Sequence, residues 1–314
     1  MHPFLILFII ILSLYVLFFG VVYICYAIVF KTNKLLKRQK EYYVPIGKSY
    51  RVHKEQLIAW QKEAKSIPCE KIAIKSFDGL TLRGKFYEYE KGAPIEIMFH
   101  GWRGNAERDL SGGIQRCFAL KRSALLIDQR GQSSSDGFTI TFGVKERYDA
   151  ISWANYVYDR FGDSVPIILT GISMGASTVL LASELDLPKT VKGVIADCGY
   201  SSAKKIIKKV IKQLYFPAFL FYPIIRLGAK LYGGFDIESA DCEKALQNAK
   251  VPVIFIHGTT DGFVPYSMSE DNFNACVSDK DILFIDGAGH GLAYIIDPKL
   301  YIEKLKQFNK KINL

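Results

Sequence analysis

Histidine is scarce in this chain: there are five in 314 residues. Any reaction that needs an imidazole as general base therefore has few candidates. His2 lies at the extreme N-terminus and His53 in a charged stretch, while His100 and His257 each sit in a strand–His–Gly turn that suits a structural role. His290, in Gly287-Ala288-Gly289-His290-Gly291, is left as the candidate base. The six cysteines show no paired spacing, which argues against a disulfide framework or a zinc site and leaves free thiols. No glycine-rich phosphate loop of the Walker type and no metal-ligand cluster is visible, so neither nucleotide chemistry, a metal nor a cofactor is expected. Internal repeats and low-complexity tracts are absent too, which excludes solenoids and long disordered arms.

Phe4 to Phe30 lacks Asp, Glu, Lys and Arg altogether. As a helix, this run would be about 40 Å long, enough to span a bilayer with some tilt. Only Met1-His2-Pro3 precede it, without a basic n-region, and the run is longer than a signal-peptide core. The expectation is an uncleaved transmembrane anchor over residues 1–30. Lys31, Lys34, Lys37, Arg38 and Lys40 follow the span and no Lys or Arg precedes it, so the positive-inside rule places the rest of the chain in the cytoplasm. An extracellular placement is the alternative.

The net charge of +10 is unevenly spread. Residues 31–65 and 201–232 each carry a net +7, so the remainder is acidic at −4. This concentration argues against nucleic-acid binding despite a pI near 9.1. Residues 31–68 read as a basic juxtamembrane segment and about 201–235 as an insert between strands. In that insert Lys204, Lys205, Lys208, Lys209 and Lys212 fall on one side of a helix, opposite Ile206, Ile207, Val210, Ile211 and Leu214. An aromatic run broken by prolines follows, from Tyr215 to Ile225, too short to cross a membrane. The lysines are either a solvated face or a surface for anionic lipid headgroups.

The most specific pattern is Gly171-Ile172-Ser173-Met174-Gly175, which follows the apolar run Pro166–Thr170 and precedes a helix-forming run. A buried strand entering Gly-x-Ser-x-Gly and leaving as a helix is a nucleophile elbow, the serine held on a strained turn at a helix N-terminus. Side chains at 171 and 175 would collide with the neighbouring strand and helix. Asp261 and His290 then follow in the order Ser, Asp, His, each on a loop after a buried strand, where active sites of open α/β sheets are built. Asp286 and Asp197 also stand at strand ends, but position favours Asp261. A glycine-rich turn, His100-Gly101-Trp102-Arg103-Gly104, follows another strand, so the natural oxyanion donors are the amides of Trp102 and Met174. The Trp102 indole either lines a pocket or packs in the core.

From about Cys69 to Gln307 the chain resembles the α/β-hydrolase superfamily. The motifs that carry this are Ser76–Leu82, His100-Gly101-Trp102, Asp128-Gln129-Arg130-Gly131, Ser135-Asp136-Gly137, Glu146 with Asp149, the serine elbow, Ala196–Tyr200, His257-Gly258 with Asp261, and Gly289-His290. It is most similar to bacterial membrane-anchored hydrolases near the serine aminopeptidase, monoacylglycerol lipase and acyl-protein thioesterase branches; Gln132 departs from that pattern, relatives often carrying histidine or a small residue there. The resemblance implies ester, thioester or amide hydrolysis without a cofactor, and a cap made by the 201–235 insert. Apolar groups around that cap favour a small-molecule or lipid-like acyl substrate; peptidase activity, or a tethered binding protein without turnover, are the alternatives.

The expected architecture is an α/β-hydrolase domain over 69–314: a mostly parallel eight-stranded sheet with helices on both faces and a small helical cap, preceded by the anchor. Strands are expected near 71–77, 80–89, 95–99, 123–128, 166–171, 192–197, 251–257 and 281–286. Helices are expected near 105–120, 143–161, 174–185, 239–248, 266–277 and 293–310.

Overall fold

The computed structural model describes residues 3–32 and 42–314. Lys34, Lys37, Arg38 and Lys40 of the basic run therefore lie outside the described residues. The chain opens with helix α1 (Pro3–Phe30), followed by α2 (Lys48–Val52) and α3 (Lys54–Ser66). Strands β1 (Glu70–Lys75), β2 (Thr81–Tyr87) and β3 (Ile95–Phe99) lead to α4 (Ala106–Ala119), β4 (Ser123–Asp128) and α5 (Glu146–Phe161). Then come β5 (Ile167–Ile172), α6 (Met174–Ala182) and β6 (Val191–Asp197). The insert holds α7 (Ala203–Gln213), α8 (Ala218–Gly228), a π-turn (Ala229–Gly233) and a short 3-10 turn. The chain closes with α9 (Cys242–Leu246), β7 (Val253–Gly258), α10 (Ser267–Ala275), β8 (Lys280–Ile285), α11 (Ala293–Ile296) and α12 (Pro298–Lys311).

The eight strands form one sheet in the order β1-β2-β4-β3-β5-β6-β7-β8. Only β2 runs against its neighbours; from β4 to β8 every pairing is parallel. Parallel strands need crossover helices, and these cover both faces. Ile95, Ile97 and Phe99 of β3 face the core shared with α5 and α6, while Met98 faces α4. This is the α/β-hydrolase fold; β3 and β4 span the expected residues, and the ends of the other strands lie within two residues of those expected. The single helix expected near 293–310 is two, because Asp297 caps a new start: its side chain accepts from the Leu300 amide with Pro298 at the first helical position.

Glu96 sits on the inner strand β3, fully buried, and its carboxylate is held by Arg116 and by Arg122 Nη1 at 2.8 Å. Burial pushes the Glu96 carboxyl up, but the two guanidinium charges outweigh it and keep the carboxyl below its ordinary range. Arg116 also reaches the Tyr301 hydroxyl at 3.3 Å, which donates to Asp197 Oδ2 at 3.0 Å, so the network links β3, α4, α12 and β6. Removing one partner leaves a buried charge uncompensated. Glu96→Ala is therefore expected to cost about 3–5 kcal/mol of stability, read as a fall in denaturant midpoint. A loss below about 1 kcal/mol would show that the arginines find other partners or water.

Helix α1 is long and apolar enough to cross a membrane. Its side chains are exposed all round from Pro3 to Phe18, but Val22, Tyr26 and Phe30 are buried. Their spacing of four puts them on one stripe, which packs on the insert. A side chain at Gly228 would stand 2.9 Å from Tyr26 Cβ and 3.0 Å from the Val22 carbonyl, so only glycine lets α8 come this close. Tyr232 packs edge-on against Tyr23 and its hydroxyl donates to the Phe19 carbonyl at 3.1 Å. Helices α2 and α3, within the segment read from sequence as juxtamembrane, also pack on the domain. Trp60 stacks on Tyr294 and lies over Gly112 of α4.

Candidate active site

Strand β5 ends at Ile172, and the next residue turns the chain into α6. Ser173 adopts φ 57° and ψ −119°, a backbone conformation that a non-glycine residue holds only under strain. The two flanking glycines make the turn sterically possible. A Cβ on Gly171 would meet the Gly175 carbonyl at 2.1 Å, and a Cβ on Gly175 would meet the Phe99 carbonyl at 2.1 Å. Ser173 N donates to the Asp197 carbonyl at 2.8 Å, which ties the turn to the end of β6.

The structure brings Ser173, His290 and Asp261 together. His290 Nε2 lies 2.9 Å from Ser173 Oγ, and His290 Nδ1 lies 2.6 Å from Asp261 Oδ2. With Nδ1–H directed at the carboxylate, Nε2 is free to accept the serine proton. Asp261 is itself fixed: its Oδ1 accepts from the amides of Phe263 at 2.8 Å and Val264 at 2.9 Å. Burial alone would raise the Asp261 carboxyl. Hydrogen bonds and charge from His257 and His290 outweigh burial and hold it well below the usual carboxylate range. Phe263 presents its ring edge to the His290 imidazole, with centroids 5.1 Å apart.

The rival acids stand elsewhere. Asp286 is exposed and bonds to Thr259 Oγ1 at 2.9 Å; Asp197 is buried and bonds to Tyr301. His100 and His257 are both fully buried. His100 Nε2 accepts from the Gln129 amide at 3.1 Å while Nδ1 donates to the Gly101 carbonyl at 2.8 Å. His257 lies 2.7 Å from Ser269 Oγ, 2.9 Å from the Val264 carbonyl and 3.1 Å from Asp261 Oδ2, bracing the acid loop.

Gly101 abuts Ser173: a side chain there would stand 3.5 Å from Ser173 Cβ. That places the 100–104 turn beside the serine. Met174 begins α6, where helix geometry leaves its amide without an intrahelical acceptor. The Trp102 indole, which sequence left undecided, donates through Nε1 to the Val29 carbonyl of α1 at 3.3 Å.

Three neighbours were not legible in the sequence. The Tyr50 hydroxyl of α2 donates to the His290 carbonyl at 2.8 Å, so the pre-domain segment supports the histidine loop. Cys198 follows β6 with φ 49°, fully buried, its thiol pushed well up first by burial and then by Asp197 and Asp261. Its sulfur and the donor atoms of Asp261 and His290 lie within 4.8 Å of one another, the one group of three metal-type ligands among the described residues. Both of its partners already hydrogen-bond within the Ser–His–Asp chain, so a metal there would compete with that chain. Lys209 Nζ donates to the carbonyls of Gly262 at 2.7 Å and Phe263 at 2.8 Å, bringing α7 onto the acid loop.

Four of the five lysines of α7 have partners within the protein. Lys204 pairs with Glu238, Lys205 with Glu243 and Asp271, and Lys208 lies over the Tyr222 ring. Arg226 and Lys230 pair with Asp236. Much of the insert's positive charge is thus met by acids just outside the 201–232 window. Exposed side chains at its corner are apolar instead: Leu214, Tyr215, Phe216, Phe219 and Leu220.

No family model matches the chain. It is 23% identical over 192 residues to the uncharacterized protein YqkD of Bacillus subtilis, covering 61% of this chain and 63% of that one. It is 21% identical over 240 residues to the uncharacterized protein Rv2307c of Mycobacterium tuberculosis, covering 76% and 78%. Among solved structures, a Pyrococcus furiosus esterase, Pf2001, superposes with a TM-score of 0.64 at 19% identity, over 80% of this chain and 94% of that one. Est1E of Butyrivibrio proteoclasticus, solved with ferulic acid bound, gives 0.59 at 20% over 76% and 98%. Mouse alpha/beta hydrolase domain-containing protein 10 gives 0.56 at 21% over 77% and 99%.

Proposed function

We propose that this chain is a membrane-anchored serine hydrolase that cleaves carboxylic ester or thioester bonds of apolar acyl substrates. The observation that carries the reading is the Ser173–His290–Asp261 hydrogen-bond chain, at 2.9 and 2.6 Å, on a strained elbow. Ser173 Oγ attacks the acyl carbonyl as His290 Nε2 takes its proton. The tetrahedral oxyanion is met by the amides of Trp102 and Met174, and Asp261 stabilises the imidazolium. His290 then protonates the leaving alcohol or thiol, and water, deprotonated by the same imidazole, releases the acid from the acyl-enzyme. One structural neighbour, Pf2001, is an esterase by name, which agrees with this chemistry.

Membrane attachment through α1 belongs to the same reading. A cleaved signal peptide has no reason to supply Val22, Tyr26 and Phe30 to the core of the mature domain. The exposed part, from Pro3 to about Val21, measures about 28 Å as a helix, close to the hydrocarbon thickness of a bilayer. Lys31 and the basic residues after it favour the cytoplasmic face for the catalytic domain. Protease protection on sealed vesicles tests this, and cleavage of the domain from outside would reverse it. Apolar side chains at the corner of the insert and Phe263 beside His290 favour an acyl chain over a free amino acid.

The test uses the full chain in detergent, because α1 packs into the domain. A fluorophosphonate probe is expected to label wild type and not Ser173→Ala. Turnover of p-nitrophenyl esters from acetyl to palmitoyl is expected to peak beyond the shortest chains. Absence of both labelling and turnover in a folded protein would sink the hydrolase reading.

A further inference from the structure

Helix α1 ends at Phe30, and a helix leaves its last four carbonyls without intrahelical donors. Here each of them is met. The Ala27 carbonyl accepts from Lys31 N at 3.2 Å, and the Phe30 carbonyl accepts from Ile140 N at 2.8 Å. The two between them are capped by consecutive residues of one distant turn. Arg103 Nη2 donates to the Ile28 carbonyl at 2.7 Å, and Trp102 Nε1 donates to the Val29 carbonyl at 3.3 Å. The same Arg103 nitrogen also reaches the Lys31 carbonyl at 2.9 Å. A cation is favoured at this end of a helix, where the carbonyl ends of the peptide dipoles converge.

That turn is the one beside Ser173. We infer that Arg103 is a positioning residue: by fastening the turn to the C-terminal carbonyls of α1, it sets the Trp102 amide as an oxyanion donor, so the membrane helix is part of the catalytic apparatus and not only a tether. The inference rests on the proposed hydrolase reading. Arg103 holds φ 52°, a left-handed backbone seldom adopted by a side chain of this kind, and its guanidinium lies 4.3 Å from the Trp102 ring centroid. Its side chain therefore leads to α1 while the neighbouring peptide carries the Trp102 amide. The last turn of α1 has independent supports. Thr32 N donates to the Phe138 carbonyl at 2.9 Å, and Phe30 packs on Phe142 and Phe235. Loss of Arg103 thus frees the turn without unseating the helix.

Oxyanion donors act through preorganisation, and a displacement of about 1 Å can cost about 100-fold in rate. For the full chain in nanodiscs, Arg103→Gln is expected to lower kcat for a p-nitrophenyl ester about 10- to 100-fold, with KM changed less than about threefold. Because one nitrogen makes both bonds, a lysine ammonium can reproduce them, and Arg103→Lys should recover most of the loss. Hydrogen exchange should accelerate in residues 100–104 of Arg103→Gln while the central strands keep their protection. Wild-type kcat in Arg103→Gln, or a loss not recovered by lysine, would overturn the inference. If the glutamine variant does not fold, Trp102→Phe decides: it deletes the Val29 bond and shrinks the ring beside the Arg103 guanidinium, and unchanged kcat with unchanged exchange in 100–104 rejects the coupling. If wild type itself shows no turnover dependent on Ser173, the hydrolase reading fails. The exchange measurement then still judges the link to α1, which unchanged exchange would reject.

Discussion

Ser173→Ala should lower kcat for any turned-over ester by at least about 10⁴-fold, because the acyl-enzyme route then has no nucleophile. The residual rate comes from the oxyanion donors and binding alone. The fold should survive the change, since the Ser173 side chain has His290 Nε2 as its hydrogen-bond partner and lies in no apolar cluster. A companion variant separates strain from chemistry. Ser173 sits at φ 57° and ψ −119°, a strained conformation for any residue with a Cβ, worth about 1–3 kcal/mol. Glycine there loses about 0.4–1 kcal/mol through the freer unfolded chain but escapes the strain. Ser173→Gly should therefore melt no lower than Ser173→Ala while being equally inactive. Residual turnover within tenfold of wild type in either variant would remove Ser173 from the mechanism.

Asp261→Asn should lower kcat about 10³- to 10⁴-fold with little change in KM, because an amide no longer demands the His290 tautomer that leaves Nε2 able to accept. Asp197→Asn is the contrast. That carboxyl, raised by burial and bonded to Tyr301, stands off the chain, and kcat should stay within about threefold. The acid behaviour follows from sign. The folded carboxyl of Asp261 is depressed, so its contribution to stability is present above the unfolded value of about 3.9 and is lost only as pH falls through the lower folded value. The melting difference between wild type and Asp261→Asn should thus be full at neutral pH and shrink in strong acid. It also follows that Asp261 stays ionised throughout the working range.

The sheet was readable because parallel strands buried on both faces appear as short apolar runs between helical periods, as in Ile95–Phe99 and Ile167–Leu169. The elbow was readable because a serine between two obligatory glycines leaves a local signature. Asp261 and His290 were reached through order and strand ends; in the structure His290 stands 2.6 Å from Asp261 and 2.9 Å from Ser173. Tyr50 gave no signal, and the Ala196–Tyr200 motif did not single out Cys198, since nothing local marks a thiol or a phenol that folding carries to His290. The charge of the insert misled in part: a count over 201–232 cannot include Glu243 and Asp271, the partners of Lys205.

The sequence by itself determined the eight strands and their succession along the chain, the strained serine turn and the apolar N-terminal helix. Each depends on side-chain period or on backbone limits that act within a few residues. Only the tertiary structure decided that the last third of α1 belongs to the domain, with Val22, Tyr26 and Phe30 buried and its end carbonyls capped by Trp102 and Arg103. An all-apolar helix carries no amphipathic stripe to announce which residues face lipid and which face protein. Carbonyl groups are the same at every residue, so which distant donor meets them is fixed by the fold alone.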